Sequence, residues 1–241
     1  MRELLALYSG EVMRMRRYGI AGASMVVVVL WVLVLHYAGA GSIDMVFPLV
    51  LFADATFMSF LLIGVIMIFE KQEGATKSML VLPIGKGGYL GAKVLATITS
   101  SVVTLVLLLI YGLAFRDLSI NIPGIFAAVV LSAFAFCQVG LVITYRVRDF
   151  TQLLMSMFAF TMVFAVPTLL EFLHILQGEW ITRVQYLNPT KSALNVLMAP
   201  AGHVAAADLW ISAAYLTVLG IGLAWVAWRR FDAYAAKEIG G

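Results

Sequence analysis

Six stretches of this chain are each long enough to cross a bilayer as a helix, and none holds more than one Asp, Glu, Lys or Arg. They lie at about 19–38, 45–69, 92–115, 122–145, 150–176 and 208–228. Backbone N–H and C=O groups inside lipid must pair within their own segment, so apolar runs of this length fold as helices. Composition agrees. The hydrophobic fraction is 63%, the charged fraction 12% and the mean hydropathy +1.00. A soluble domain carries about 25% charged residues. The expected fold is an all-α polytopic membrane protein, a single transmembrane domain over 1–241.

The connecting segments give the rest of the layout. Leu4, Leu5, Tyr8, Val12 and Met15 recur at helical spacing, while Arg2, Glu3, Glu11, Arg14 and Arg16 lie largely elsewhere. Residues 2–17 therefore read as an amphipathic helix in the headgroup plane. Asp149 and Gln152 have capping-box spacing at the start of the fifth span. Pro167 lies inside that span and removes a backbone bond to Val163, which predicts a kink. Asn188 followed by Pro189 predicts the start of a helix over about 189–199, too short to cross. Residues 177–207 thus form a short external helical hairpin between spans five and six. Arg229 and Arg230 are expected to stop the sixth span, leaving a short tail.

Placing the N-terminus inside leaves Arg116, Arg183 and Lys191 outside and the other 13 of the 16 Lys and Arg inside. The positive-inside rule then puts both termini in the cytoplasm. Arg14, Arg16 and Arg17 before an apolar run ending at Ala38-Gly39-Ala40 resemble a signal peptide, but the run is too long and the site too far from the start. Cys137, the one cysteine, has no intrachain disulfide partner and reads as an inert core residue.

The longest polar interruption in the first two thirds of the chain is Glu70–Lys93, with Lys71, Lys77, Lys86 and Lys93. Ala75, Met79 and Leu82 share one helical face, Pro83 ends it, and Gly85, Gly87 and Gly88 predict a flexible joint. Glu70 and Glu73 stand where negative charge suits a helix N-terminus. Physically this is either a short cytoplasmic helix able to transmit a push or a plain surface loop.

The segment resembles the coupling-helix region of ABC-2 type transporter permeases. The family pattern is a Glu, a basic residue, a further charged residue, Gly, a leucine-rich turn, Pro, and a Lys opening the third span. Glu70, Lys71, Glu73, Gly74, Leu80, Pro83 and Lys93 match it, while Ala75 and Leu82 replace the usual Thr. Leu187-Asn188-Pro189 is similar to the family's external segment before the last span. Arg17-Tyr18-Gly19, Asp54, Tyr89 and Lys93 further resemble the subgroup labelled fluoroquinolone-export permeases. The resemblance implies a non-catalytic subunit in a bacterial plasma membrane. It would be paired with a second permease chain, as homodimer or heterodimer, and with two copies of an ABC ATPase subunit that bind ATP and Mg. The implied cargo is a lipid-like, amphipathic or drug-like compound moved outward.

This chain has no phosphate-binding loop of its own: Lys77-Ser78 follows Thr76 rather than Gly, and Lys86 lacks a following Ser or Thr. His36, His174 and His203 are scattered, so no cofactor or metal is expected on it, and no nucleic-acid partner. The Glu70/Glu73 pair has no histidine nearby for metalloprotease chemistry. Asp54 falls near mid-bilayer, as a cavity or gate residue or as a hydrogen-bonded contact between helices. Glu171 and His174 share a face near the end of span five; with Pro167, Asn188 and Pro189 they form a candidate gate or pathway set. Two other functions fit the composition: a membrane scaffold or assembly component coupled to an ATPase, and an ion-coupled carrier built on Asp54 and Glu171.

Overall fold

The computed structural model describes residues 2–39, 43–74, 85–176 and 178–240. Among them the regular structure is helical throughout: α1 (Arg2–Arg17), α2 (Ile20–Tyr37), α3 (Ile43–Gln72), α4 (Lys86–Phe115), α5 (Ile122–Thr144), α6 (Phe150–Phe172), α7 (Glu179–Gln185), α8 (Pro189–Met198) and α9 (Ala206–Gly240). Six of these, α2 to α6 and α9, are long and apolar enough to cross a membrane.

Local chemistry sets the helix starts. Asp149 Oδ1 accepts from Gln152 N at 2.9 Å, and Gln152 Oε1 accepts from Arg148 N at 2.9 Å, so the expected capping box closes one residue further out. Asn121 caps α5 by accepting from Gly124 N at 3.0 Å, and Asn188 caps α8 by accepting from Thr190 N at 3.0 Å.

Three boundaries differ from the sequence expectation. α4 starts at Lys86, with Gly87 and Gly88 already inside the helix and only Gly85 at its N-cap, so two of the three hinge glycines belong to the span. α6 ends at Phe172, where a left-handed turn at His174 (φ 57°) follows. α9 runs through Arg229 and Arg230 to Gly240. Charge takes a helix out of the apolar layer without unwinding it, and Arg is a good helix former.

α3 and α5 form the centre, each 61% buried along its apolar window, against 17% for α2, α6 and α9. Gly140 of α5 is why they approach so closely: a Cβ there would meet the Phe60 carbonyl oxygen at 2.5 Å. The main core gathers Phe47, Leu51 and Phe52 of α3, Leu105 and Leu108 of α4, Phe136 of α5 and Leu197 of α8. α8 is therefore a buried plug at one end of the bundle. α3 and α6 each contain a π turn, at Asp54–Met58 and Thr161–Ala165.

Candidate functional site

The segment singled out by sequence is held at both of its ends by one buried cluster of charge. Glu70 lies in the last turns of α3, Lys93 two turns into α4, and Glu11 and Arg14 one turn apart on α1. Lys93 Nζ pairs with Glu70 Oε1 and, at 3.1 Å, with Glu11 Oε1. Arg14 donates to Glu70 Oε1 and, at 2.8 Å, to Glu11 Oε1. Tyr89 OH donates to Glu70 Oε2 at 2.6 Å, and its ring lies 4.6 Å below the Lys93 ammonium. Two carboxylates and two cations cancel, which is what lets them leave water together.

Glu70, Lys93 and Glu11 are at most 1% exposed, and Arg14 reaches the surface. Burial, the largest cause, pushes the Glu11 carboxyl above the ordinary range; Lys93 and Arg14 pull it back, and Glu70 pushes it further. Its Oε2 is buried with no hydrogen bond among the described residues.

A second contact lies nearer the surface. Tyr18 OH donates to Glu73 Oε2 at 2.6 Å, and burial followed by that carboxylate pushes the phenol up to about 12, so it stays a donor. Tyr8 OH donates to Thr99 Oγ1 at 3.0 Å. α1 is thereby fastened to the end of α3 and to the start of α4. Gly74, at φ 67°, turns the chain out of α3 in a conformation that favours glycine.

The sequence-derived coupling residues thus separate. Glu70 and Lys93 face inward and present no surface to a partner, whereas Lys71 is half-buried and Glu73 exposed. Met79, Leu80 and Pro83 lie outside the described residues. Glu11, Arg14 and Tyr89 complete the cluster. The spacing of Glu11 and Arg14, three apart on an amphipathic helix, was the available signal; their long-range partners had none.

The candidate gate residues assemble at the other end, except Asp54. In α6 the Phe164 carbonyl, three residues before Pro167, accepts from Asn188 Nδ2 at 2.8 Å and from Thr190 Oγ1 at 2.7 Å. Thr168 and Thr190 hydroxyls meet at 2.8 Å, and Lys191 Nζ pairs with Glu171 Oε1 at 3.0 Å. Positions 164, 168 and 171 lie on one face of α6, stitched along the start of α8. The Pro167-bearing span and the Asn-Pro helix start are thus one unit, and His174 lines a cavity beside it. Asp54 stands apart, buried at the first position of the α3 π turn near Trp31 and Thr104. Among the described residues no three His, Cys, Asp or Glu come together to hold a metal.

Comparison with known proteins points the same way. The family described as ABC-2 family transporter protein matches residues 24–229. Two curated relatives, each called a fluoroquinolones export permease protein and each from a strain of Mycobacterium tuberculosis, are 26% identical over 197 residues, 80% of this chain and 79% of theirs.

Proposed function

This chain belongs to the ABC-2 transporter family and is a multi-pass membrane permease, and from that premise we propose that it is the subunit through which an ATPase drives export. The observation that carries the proposal is the buried Glu11–Arg14–Glu70–Lys93 cluster, which binds α3 and α4, the helices that flank residues 75–84, and α1 into one block. A push received by that segment passes into α3 and α4 together, because separating any one of these charges from the others leaves a bare charge in an apolar setting. Glu70 and Lys93 act as positioning residues, and Lys71, Glu73, Gly74, Met79, Leu80 and Pro83 form or flank the contact surface.

The basic end, with α1, Lys71, Lys86, Arg146, Arg148, Arg229 and Arg230, faces the cytoplasm by the positive-inside rule. Two such chains, identical or sister permeases, enclose the path, and two ATPase chains supply ATP and Mg. The name of the Mycobacterium tuberculosis relatives suggests an amphipathic, drug-like cargo, a fluoroquinolone among the first to try.

The test is reconstitution. The chain is purified with the ATPase that accompanies it and placed in proteoliposomes. ATP-dependent movement of a fluoroquinolone is expected, as is cross-linking of a cysteine at position 74 to the ATPase. Movement driven by a proton gradient without ATP, and abolished by Asp54→Asn, would establish the carrier reading instead. ATP hydrolysis without movement of any cargo would leave a scaffold.

A further inference from the structure

Beside the stitched face of α6 and α8 lie two adjoining cavities of 450 Å³ and 220 Å³, which share Lys191, Asn195 and His203. The larger is in the range of about 300–1,000 Å³ that holds small organic ligands. Met45, Phe172, Leu194 and Met198 give it apolar walls. Charges of both signs stand at one wall. Glu171 Oε1 is paired with Lys191 at 3.0 Å, but Glu171 Oε2 is buried and has no hydrogen bond among the described residues. The Lys191 ammonium has three donors, of which that pair uses one. The smaller cavity adds Asp208, whose carboxylate accepts from Tyr186 OH at 2.9 Å.

A buried acceptor left open beside a cation with open donors selects a particular ligand. A ligand with only a positive charge is drawn to the Glu171 carboxylate but is repelled by Lys191. One with only a negative charge reaches Lys191 but is repelled by Glu171. A ligand carrying an amine and an acid a few atoms apart satisfies both, with its apolar body against the methionine and leucine walls. We propose that this cavity is a binding site for amphipathic zwitterions, with Glu171 receiving the ammonium and Lys191, aided by His203, the carboxylate. The reading of the chain as an exporter enters only in placing the cavity on the release side; binding itself requires no ATPase.

The test is a fluorescence titration of the purified full chain with Nε-dansyl-lysine, a zwitterion, beside its methyl ester, a cation, and its Nα-acetyl derivative, an anion. The zwitterion is expected to bind about tenfold more tightly than either derivative, the effect of one charge-assisted hydrogen bond. Glu171→Gln should remove the advantage over the anion, and Lys191→Gln the advantage over the cation. Met45→Trp, in the apolar wall, should abolish binding of all three, and Lys191→Gln alone still decides the matter if the Glu171 variant fails to fold. Equal binding of the three probes, or full binding by Met45→Trp, would overturn the proposal. Loss of ATP-driven transport with these affinities intact would instead count against the export reading alone.

Discussion

The two ends of the bundle are joined by opposite chemistries. At the basic end four charges from three helices meet, with Glu70 and Lys93 fully buried and only Arg14 reaching the surface. At the other end α6 and α8 are joined mainly by neutral groups, a carbonyl accepting from an amide and two hydroxyls, with one partly exposed ion pair at the edge. A buried charge cluster holds together or fails as a unit, because each member removed leaves another bare. A neutral hydrogen bond contributes about 1 kcal/mol and can be exchanged for water or for another partner. The first chemistry suits a part that moves as a block; the second suits one that opens and closes.

The largest effect is expected from Lys93→Met. It leaves Glu70 and Glu11 sharing Arg14 as their one cation, and should cost about 3–5 kcal/mol, measured as a fall in the unfolding midpoint of the purified chain. Adding Glu11→Gln to that variant should restore part of the loss; strict additivity would break the picture of one cooperative cluster. Asn188→Ala removes the α8 cap and the donor to Phe164. A loss of about 2 kcal/mol is expected, with faster hydrogen exchange confined to α8 and the end of α6. Thr190→Val removes one hydroxyl and should cost about 1 kcal/mol in the same measurement. Lys86→Gln breaks the pair with Asp232 at 2.6 Å, where the lysine is 30% and the aspartate 70% exposed. Water and salt screen such a pair, so the change should stay under about 1 kcal/mol and vanish in high salt. A Lys86→Gln effect as large as that of Lys93→Met would show that burial is not what separates the two lysines.

Much of the fold was legible because lipid leaves few choices. The apolar runs marked all six spans, and Asp149 and Asn188 marked helix starts through capping chemistry that acts over three residues. The end of α9 was not legible: Arg229 and Arg230 signal where the membrane stops, and nothing in them signals where the helix stops. At the sites, Glu70 and Lys93 stood out as charged residues bordering a polar loop, which reads as exposure. Their burial depends on Glu11 and Arg14 arriving from more than 50 positions away, and no local pattern encodes that. The candidate gate set fared differently. Pro167, Glu171 and Asn188 were each conspicuous in an apolar setting, but Thr168 and Thr190, which join them, looked like ordinary helix residues.

The two π turns carry a consequence for motion. Each stores one residue beyond what an α-helix needs for the same length. If α3 or α6 reabsorbs that surplus, everything past it rotates by about 100° and advances by about 1.5 Å. Asp54 and Phe164 sit on these turns, so a screw motion of half a span would swing an acidic side chain in one helix and a stitched carbonyl in the other, while the charged block at the basic end stayed whole.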